Sequence, residues 1–199
     1  MFSKGVKKHD KNNVIQIGEK LFRTQGYHKT GTEDILNQSD YPRSSFYYHF
    51  KSKEGFAAEV LDWYGDGASR FYASVLQDKE LGSPLERIKA LSNEVGTSLV
   101  KSGFESQCLI HKMTTECGAS NEHIRRKTAD QMNKLLDILS GCIAEGQTEG
   151  EIRNDMTPRE LAGLVHAQYY GGSVLSRLQK EIDTFRRNIE MVINYISAK

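Results

Sequence analysis

Apolar residues recur at spacings of three, four and seven along most of the chain, the pattern of helices with one buried face. Over residues 10–25 they are Val14, Ile15, Ile17, Leu21 and Phe22, and Gly26 follows where such a helix would stop. A second, shorter helix is expected over 32–38. Ile35 and Leu36 face inward there, and Glu33 and Asp34 sit at its positive N-terminal end. Ser39-Asp40-Tyr41 then makes a turn in which Asp40 tolerates left-handed backbone, and Pro42 suits a helix start. The third helix, 42–50, is anchored by Phe46 and Phe50, one turn apart. Two short helices joined by a turn of three to four residues make a helix-turn-helix.

The pattern continues in longer pieces. Ser52 is placed to cap a helix over 52–77 whose stripe is Phe56, Val60, Trp63, Tyr64 and Phe71, weakened by Gly65 and Gly67. Gly82 ends that stretch. Ser83-Pro84-Leu85-Glu86 restarts a helix with cap, first-turn proline and capping-box glutamate, and Ile88, Leu91, Val95 and Leu99 face inward. Gly103 breaks it. A helix over 108–117 follows, and Ser120 or Asn121 caps another that runs to about 146. After a polar loop over 146–155, Thr157-Pro158-Arg159-Glu160 repeats the capping signature for a helix to about 180. The last helix, 183–197, buries Phe185, Ile189, Val192, Ile193 and Ile196. Ala162, Gly163, Ala167, Gly171 and Gly172 let the final pair pack closely, within the chain or against a second subunit. The expected fold is all-α: a helix-turn-helix domain over 1–52 and a larger helical effector-binding and dimerisation domain over 53–199.

Charge divides the same way. Through Lys53 there are ten Lys and Arg against five Asp and Glu; beyond it there are 17 against 21. A basic head on an acidic body points to a polyanion at the head. Lys4, Lys7 and Lys8 form a basic tail that either touches phosphates or is simply solvated. The outer face of the third helix carries Arg43, Ser44, Ser45, Tyr47, Tyr48 and His49. Small hydroxyls let backbone approach DNA, arginine pairs with guanine or phosphate, and phenols and imidazole reach phosphate oxygens. The alternative is that Tyr47 and Tyr48 are core aromatics. No run of 18 apolar residues exists, so no membrane span is expected, and the N-terminus lacks the apolar stretch of a secretory signal. Three cysteines are too few and too irregular for a disulfide framework, which suggests a reducing cytoplasm.

The ordered set Gly26-Tyr27, Thr30, Ile35, Pro42-Arg43-Ser44-Ser45-Phe46-Tyr47-Tyr48-His49-Phe50 and Ser52-Lys53-Glu54 resembles the signature of the TetR family of bacterial transcriptional regulators. The resemblance covers roughly residues 10–55. It implies contacts to bases or phosphates from Arg43, Ser44, Ser45 and Tyr48. It implies phosphate contacts from Tyr47, His49, Lys53 and the start of the second helix near Thr30 and Thr32. It also implies homodimers built on the last two helices, a palindromic double-stranded DNA operator and a small-molecule effector. Gly31, Leu36 and Asp40 depart from the commonest family residues.

Cys108 is the candidate sensor. It falls at a helix start, where the N-terminal field, with Lys112 and His111 nearby, would lower its pKa and make it reactive. The alternative is an inert core cysteine. Gly31, Leu36, Pro42, Cys108-Leu109 and Thr115-Glu116 are similar to a TetR subgroup of electrophile- and quinone-responsive repressors, whose sensing cysteine matches Cys108. The lysine that partners it there falls at Arg177, and arginine does not deprotonate. Candidate effector-pocket residues are Trp63, Phe104, His111, Met113 and Tyr169. Cys108 and His111 have metal-ligand spacing, which Cys117 or His166 could extend, but no compact four-ligand set forms, so no metal or cofactor is expected. No glycine-rich phosphate loop or nucleophile motif suggests an enzyme. The expected function is a sequence-specific DNA-binding transcriptional regulator, a repressor, released from its operator by a small molecule or by cysteine modification. The alternative is a small-molecule-binding helical protein without a specific operator.

Overall fold

Helix boundaries fall where local capping chemistry puts them. Asp10 accepts the Asn12 N–H at 2.8 Å and starts α1 (Lys11–Gln25), which ends at Gly26 with φ 91°. The turn between α2 (Thr32–Ser39) and α3 (Arg43–Phe50) passes through Asp40 at φ 51°, the left-handed conformation its side chain tolerates. After α4 (Lys53–Leu76), a short 3-10 helix at Lys79–Leu81 was not foreseen from the pattern. The Glu86 carboxylate accepts the Ser83 N–H at 2.8 Å and opens α5 (Pro84–Lys101); the Glu160 carboxylate does the same for Thr157 at 2.8 Å before α8 (Pro158–Gln179). Between them lie α6 (Leu109–Cys117), after a break at Gly103 with φ 61°, and α7 (Glu122–Thr148), capped by Asn121. The last helix is α9 (Asp183–Ile196). The computed structural model describes residues 10–105 and 107–198, so Lys4, Lys7 and Lys8 lie outside the described residues.

The chain divides into two compact units. The first takes Met1–Tyr64 and Cys108–Thr128, so that α6 and the first half of α4 belong with α1 to α3. That division differs from a boundary at residue 52. Its core joins Val14, Ile15, Leu21 and Phe22 to Ile35, Phe46, Phe50, Phe56, Val60, Leu61, Leu109, Met113 and Cys117. The rings of Phe46, Phe50 and Phe56 stand 4.8 to 5.1 Å apart in pairs. Each buried phenylalanine contributes about 1.5–3 kcal/mol by leaving water. This is what fixes α3 on its platform. Gly18 lets α1 lie against α4; a Cβ there would stand 2.4 Å from the Phe56 ring.

The second unit takes Gly65–Gln107 and Ala129–Lys199. Here α8 and α9 pack along their length, and the five apolar residues expected on α9 are all buried. Phe185 fills the space left by Gly96 of α5 and Gly172 of α8. Arg87 is an exception to the polar-outside rule, only 1% exposed. Its guanidinium donates to the Leu76 carbonyl at 2.6 Å, closing the end of α4, and pairs with Glu145 at 2.9 Å. The end of the chain is tied down where Arg153 N–H donates to Ile196 and Ala198 N–H donates to Glu151. Not every expected stripe turned inward. Trp63 and Phe71 are exposed, and Tyr72 and Leu76 take the buried places on α4. On α8, Leu175 and Leu178 face solvent in this single chain.

Candidate nucleic-acid interface and sensor region

With Phe46 and Phe50 buried, helical geometry sends the rest of α3 outward. Arg43, Ser44, Tyr47, Tyr48 and His49 are exposed and Ser45 is half-buried, so the phenols are not core aromatics. Tyr48 is 73% exposed, the most open aromatic of the face. Lys51, absent from the sequence-based set, belongs with it. It caps α3 with φ 65°, donates to the Tyr48 carbonyl at 2.7 Å and holds its ammonium 5.2 Å from the Tyr48 ring. A lysine just past a motif gave no periodic signal. On the other flank Arg43 forms an ion pair with Glu33 of α2.

Two expected phosphate contacts are otherwise engaged. Thr30 is fully buried and its hydroxyl donates to the Gly26 carbonyl at 2.7 Å, so that hydroxyl stabilises the turn and is closed to a phosphate. The Lys53 ammonium donates to the carbonyls of Tyr27 and Thr30 at 2.9 and 3.0 Å and lies 4.2 Å from the Tyr27 ring. It therefore braces the loop before α2, with one of its three N–H donors left over. Thr32 is half-buried in the first turn of α2, beside two carboxylates. Asp34 already accepts the Gly31 N–H at 2.8 Å, and Glu33 holds Arg43.

Cys108 is the N-cap residue of α6, as its position suggested. The direction of its pKa is the reverse of the expected one. Burial pushes the thiol up, and the N–H groups of His111 and Ile110, the Tyr64 hydroxyl and Arg23 oppose this without overcoming it. Lys112 is not one of the groups that oppose burial here; its ammonium is turned to the Arg23 carbonyl, to which it donates at 2.9 Å. His111 supplies none either: burial pushes its pKa down to about 4, so the ring is neutral at pH 7. The Tyr64 hydroxyl, which hydrogen-bonds Cys108, is pushed well above the usual phenol range by burial first and the thiol second. Burial also raises Cys117 and Cys142, each to about 11. Among the described residues no three His, Cys, Asp or Glu side chains group as metal ligands.

The five candidate pocket residues fall in different places. Trp63, His111 and Met113 belong to the first unit, with Met113 buried in its core and Trp63 37% exposed. Phe104 and Tyr169 belong to the second. Phe104 accepts the Arg177 Nε–H at 2.9 Å through its carbonyl, and the buried Tyr169 hydroxyl shares a hydrogen bond with Ser92 at 3.0 Å. The second unit carries an open groove of about 830 Å³ between α5 and α9, floored by Phe185, Ile189 and Ile193. None of the five lines it.

Comparison with known proteins matches this architecture at both ends. Residues 14–60 match the model described as bacterial regulatory proteins, tetR family, and residues 84–192 match the tetracyclin repressor-like C-terminal domain. The HTH-type transcriptional repressor DhaR of Mycobacterium sp. strain GP1 is 26% identical over 85% of this chain and 83% of its own. The HTH-type transcriptional repressor NemR of Escherichia coli K12 is 22% identical over 96% of each chain. The crystal structure of reduced E. coli NemR superposes with TM-score 0.86 at 22% identity, covering 94% of this chain and 96% of that one. A TetR regulatory protein from Rhodobacter sphaeroides gives TM-score 0.84 at 21% identity, covering 93% and 97%. No helix among the described residues is long and apolar enough to cross a membrane. With family models matching both the helix-turn-helix and most of the body, the chain belongs to the TetR family of bacterial transcriptional regulators.

Proposed function

We propose that this protein is a homodimeric repressor that inserts α3 into the major groove of each half of a palindromic operator. The observation that carries the reading is the face of α3. Two buried phenylalanines lock the helix, and Arg43, Ser44, Tyr47, Tyr48 and His49 stand together in solvent. Arg43 and the serines are the base-reading group, and Tyr47, Tyr48, His49 and Lys51 the phosphate group. Lys53 and Thr30 serve the same surface indirectly by fixing the loop that leads into α2. The exposed apolar residues Tyr170, Val174 and Leu178 of α8, with Met191 and Tyr195 of α9, support a dimer face on the last two helices. Two such protomers would meet half-sites about one helical turn apart.

Release works through α6. Lys112 holds the Arg23 carbonyl at the end of α1, the Glu116 carboxylate accepts the Tyr27 N–H at 2.7 Å, and the Glu116 carbonyl meets the His28 ring at 3.0 Å. An effector that favours a different α6 position therefore favours a different head, which is linkage between two sites. Cys108 is half-buried, and burial pushes its thiol toward the protonated form, which is a poor nucleophile. This favours a reversible ligand as the effector. Modification of Cys108 is the second reading, supported by its place as the N-cap of α6.

Selection of binding fragments from genomic DNA tests the first part: it should return a palindrome occupied by two protomers or a multiple of two. Recovery of sequence-independent fragments alone would favour a ligand-binding protein with no operator. For the effector, a Cys108→Ser protein should still be released by the inducing compound. Loss of release in that variant, with DNA affinity intact, would move the account to cysteine modification.

A further inference from the structure

We infer that Glu33 is a specificity-determining residue: it positions Arg43 for a base edge and opposes its capture by phosphate. The inference rests on the DNA-binding reading above and goes beyond it, because Glu33 belongs to no part of the motif. The observation is the ion pair between the Glu33 carboxylate, in the first turn of α2, and the Arg43 Nη2 group on the outer face of α3. Both side chains are more than half exposed, and neither makes another side-chain bond among the described residues. The neighbouring carboxylate, Asp34, is occupied by the Gly31 N–H, so Glu33 alone is directed at the recognition helix.

Consider what Arg43 meets on DNA. A guanine edge is neutral and offers two acceptors, O6 and N7. Arginine has five N–H donors, so it can keep Glu33 on one nitrogen and give guanine the others. A phosphate is charged. To take Arg43 it must displace Glu33 or stand beside it, and either is opposed by like-charge repulsion. Glu33 thus lowers binding to DNA in general more than binding to the correct site. It also orders a long side chain before DNA arrives, which reduces the entropy lost on binding.

The test compares affinity for the selected palindrome with affinity for a scrambled duplex, across a range of salt, in wild type and Glu33→Gln. Binding of the variant to scrambled DNA should tighten about five- to tenfold at 0.1 M salt. Its log–log salt slope should steepen by up to about two per dimer, one for each freed arginine. The ratio of specific to non-specific affinity should fall by up to about tenfold, because binding to the correct site gains less. Asp40→Asn is the control for charge alone. Asp40 is exposed, has no ion pair among the described residues and sits at φ 51°, which asparagine accepts. This control should keep most of the ratio. In an Arg43→Ala background, Glu33→Gln should have no further effect on the ratio. An unchanged ratio in Glu33→Gln, an equal loss in Asp40→Asn, or a persisting effect without Arg43 would each overturn the inference while leaving the DNA-binding reading intact. Absence of any preference in the wild type would instead overturn that reading.

Discussion

His111 offers a sharp test of the first unit, because it is a histidine held neutral where an exposed one would titrate. Burial takes its pKa from 6.5 to about 4. The unfolded chain therefore binds the proton first, and stability must rise with pH between about 4 and 6.5. The contribution is fully present above 6.5 and is lost as pH falls toward 4. A shift of this size corresponds to about 3 kcal/mol in total, of which about 2 kcal/mol is gone by pH 5. Urea titrations at pH 7.5, 6, 5 and 4.5, followed by helical circular dichroism and by the emission of the single tryptophan, give the dependence. Trp63 lies in the same unit as His111 and reports on it directly. His111→Gln cannot titrate at this position, so from pH 7 to 5 its stability should fall by about 2 kcal/mol less than that of the wild type. Parallel curves for the two proteins would refute the buried neutral imidazole. They would also reopen the possibility that a charged His111 supports a thiolate at Cys108.

Other substitutions probe the packing. Gly18→Ala drives a Cβ to 2.4 Å from the Phe56 ring and should cost about 1–3 kcal/mol, read from thermal unfolding. Arg87→Met leaves the Leu76 carbonyl without its donor while Glu145 keeps Lys79 at 3.2 Å, and about 1–3 kcal/mol should be lost; a neutral result would show that water reaches that carbonyl instead. Leu178→Glu places a charge on a side chain 80% exposed in the single chain. Sedimentation should show monomers if that face is the dimer contact, and unchanged dimers would place the contact elsewhere.

The parts that were legible in the sequence are those decided within a few residues. The pairs Ser83–Glu86 and Thr157–Glu160, the turn at Asp40 and the N-cap at Cys108 are set by neighbours in the chain, and each sits where its local chemistry directs. The buried face of α9 was equally plain, because a single period runs through it without interruption. What was not legible depends on atoms far along the chain. The helix α4 runs through both units and its buried stripe changes on the way, so a single stripe through Trp63 and Phe71 was the wrong extrapolation. The Lys53 ammonium was expected at a phosphate, and the backbone carbonyls of Tyr27 and Thr30 take two of its donors. Arg87 gave no signal in the pattern, because its acceptor at Leu76 lies on another helix. For Cys108 the sequence displayed the helix N-terminus that lowers a thiol pKa but not the burial that raises it. The exposed face of α3 was readable because Phe46 and Phe50, once buried, leave only one way for the helix to turn.

The central claim is that α3 reads bases. The direct measurement is the affinity of wild type and Arg43→Ala for the selected operator and for variants mutated one base pair at a time. Loss of Arg43 should cost about 1–3 kcal/mol per half-site and remove discrimination at one base pair of each half, leaving the others as they were. A uniform loss at every position, or full discrimination retained without Arg43, would contradict the account.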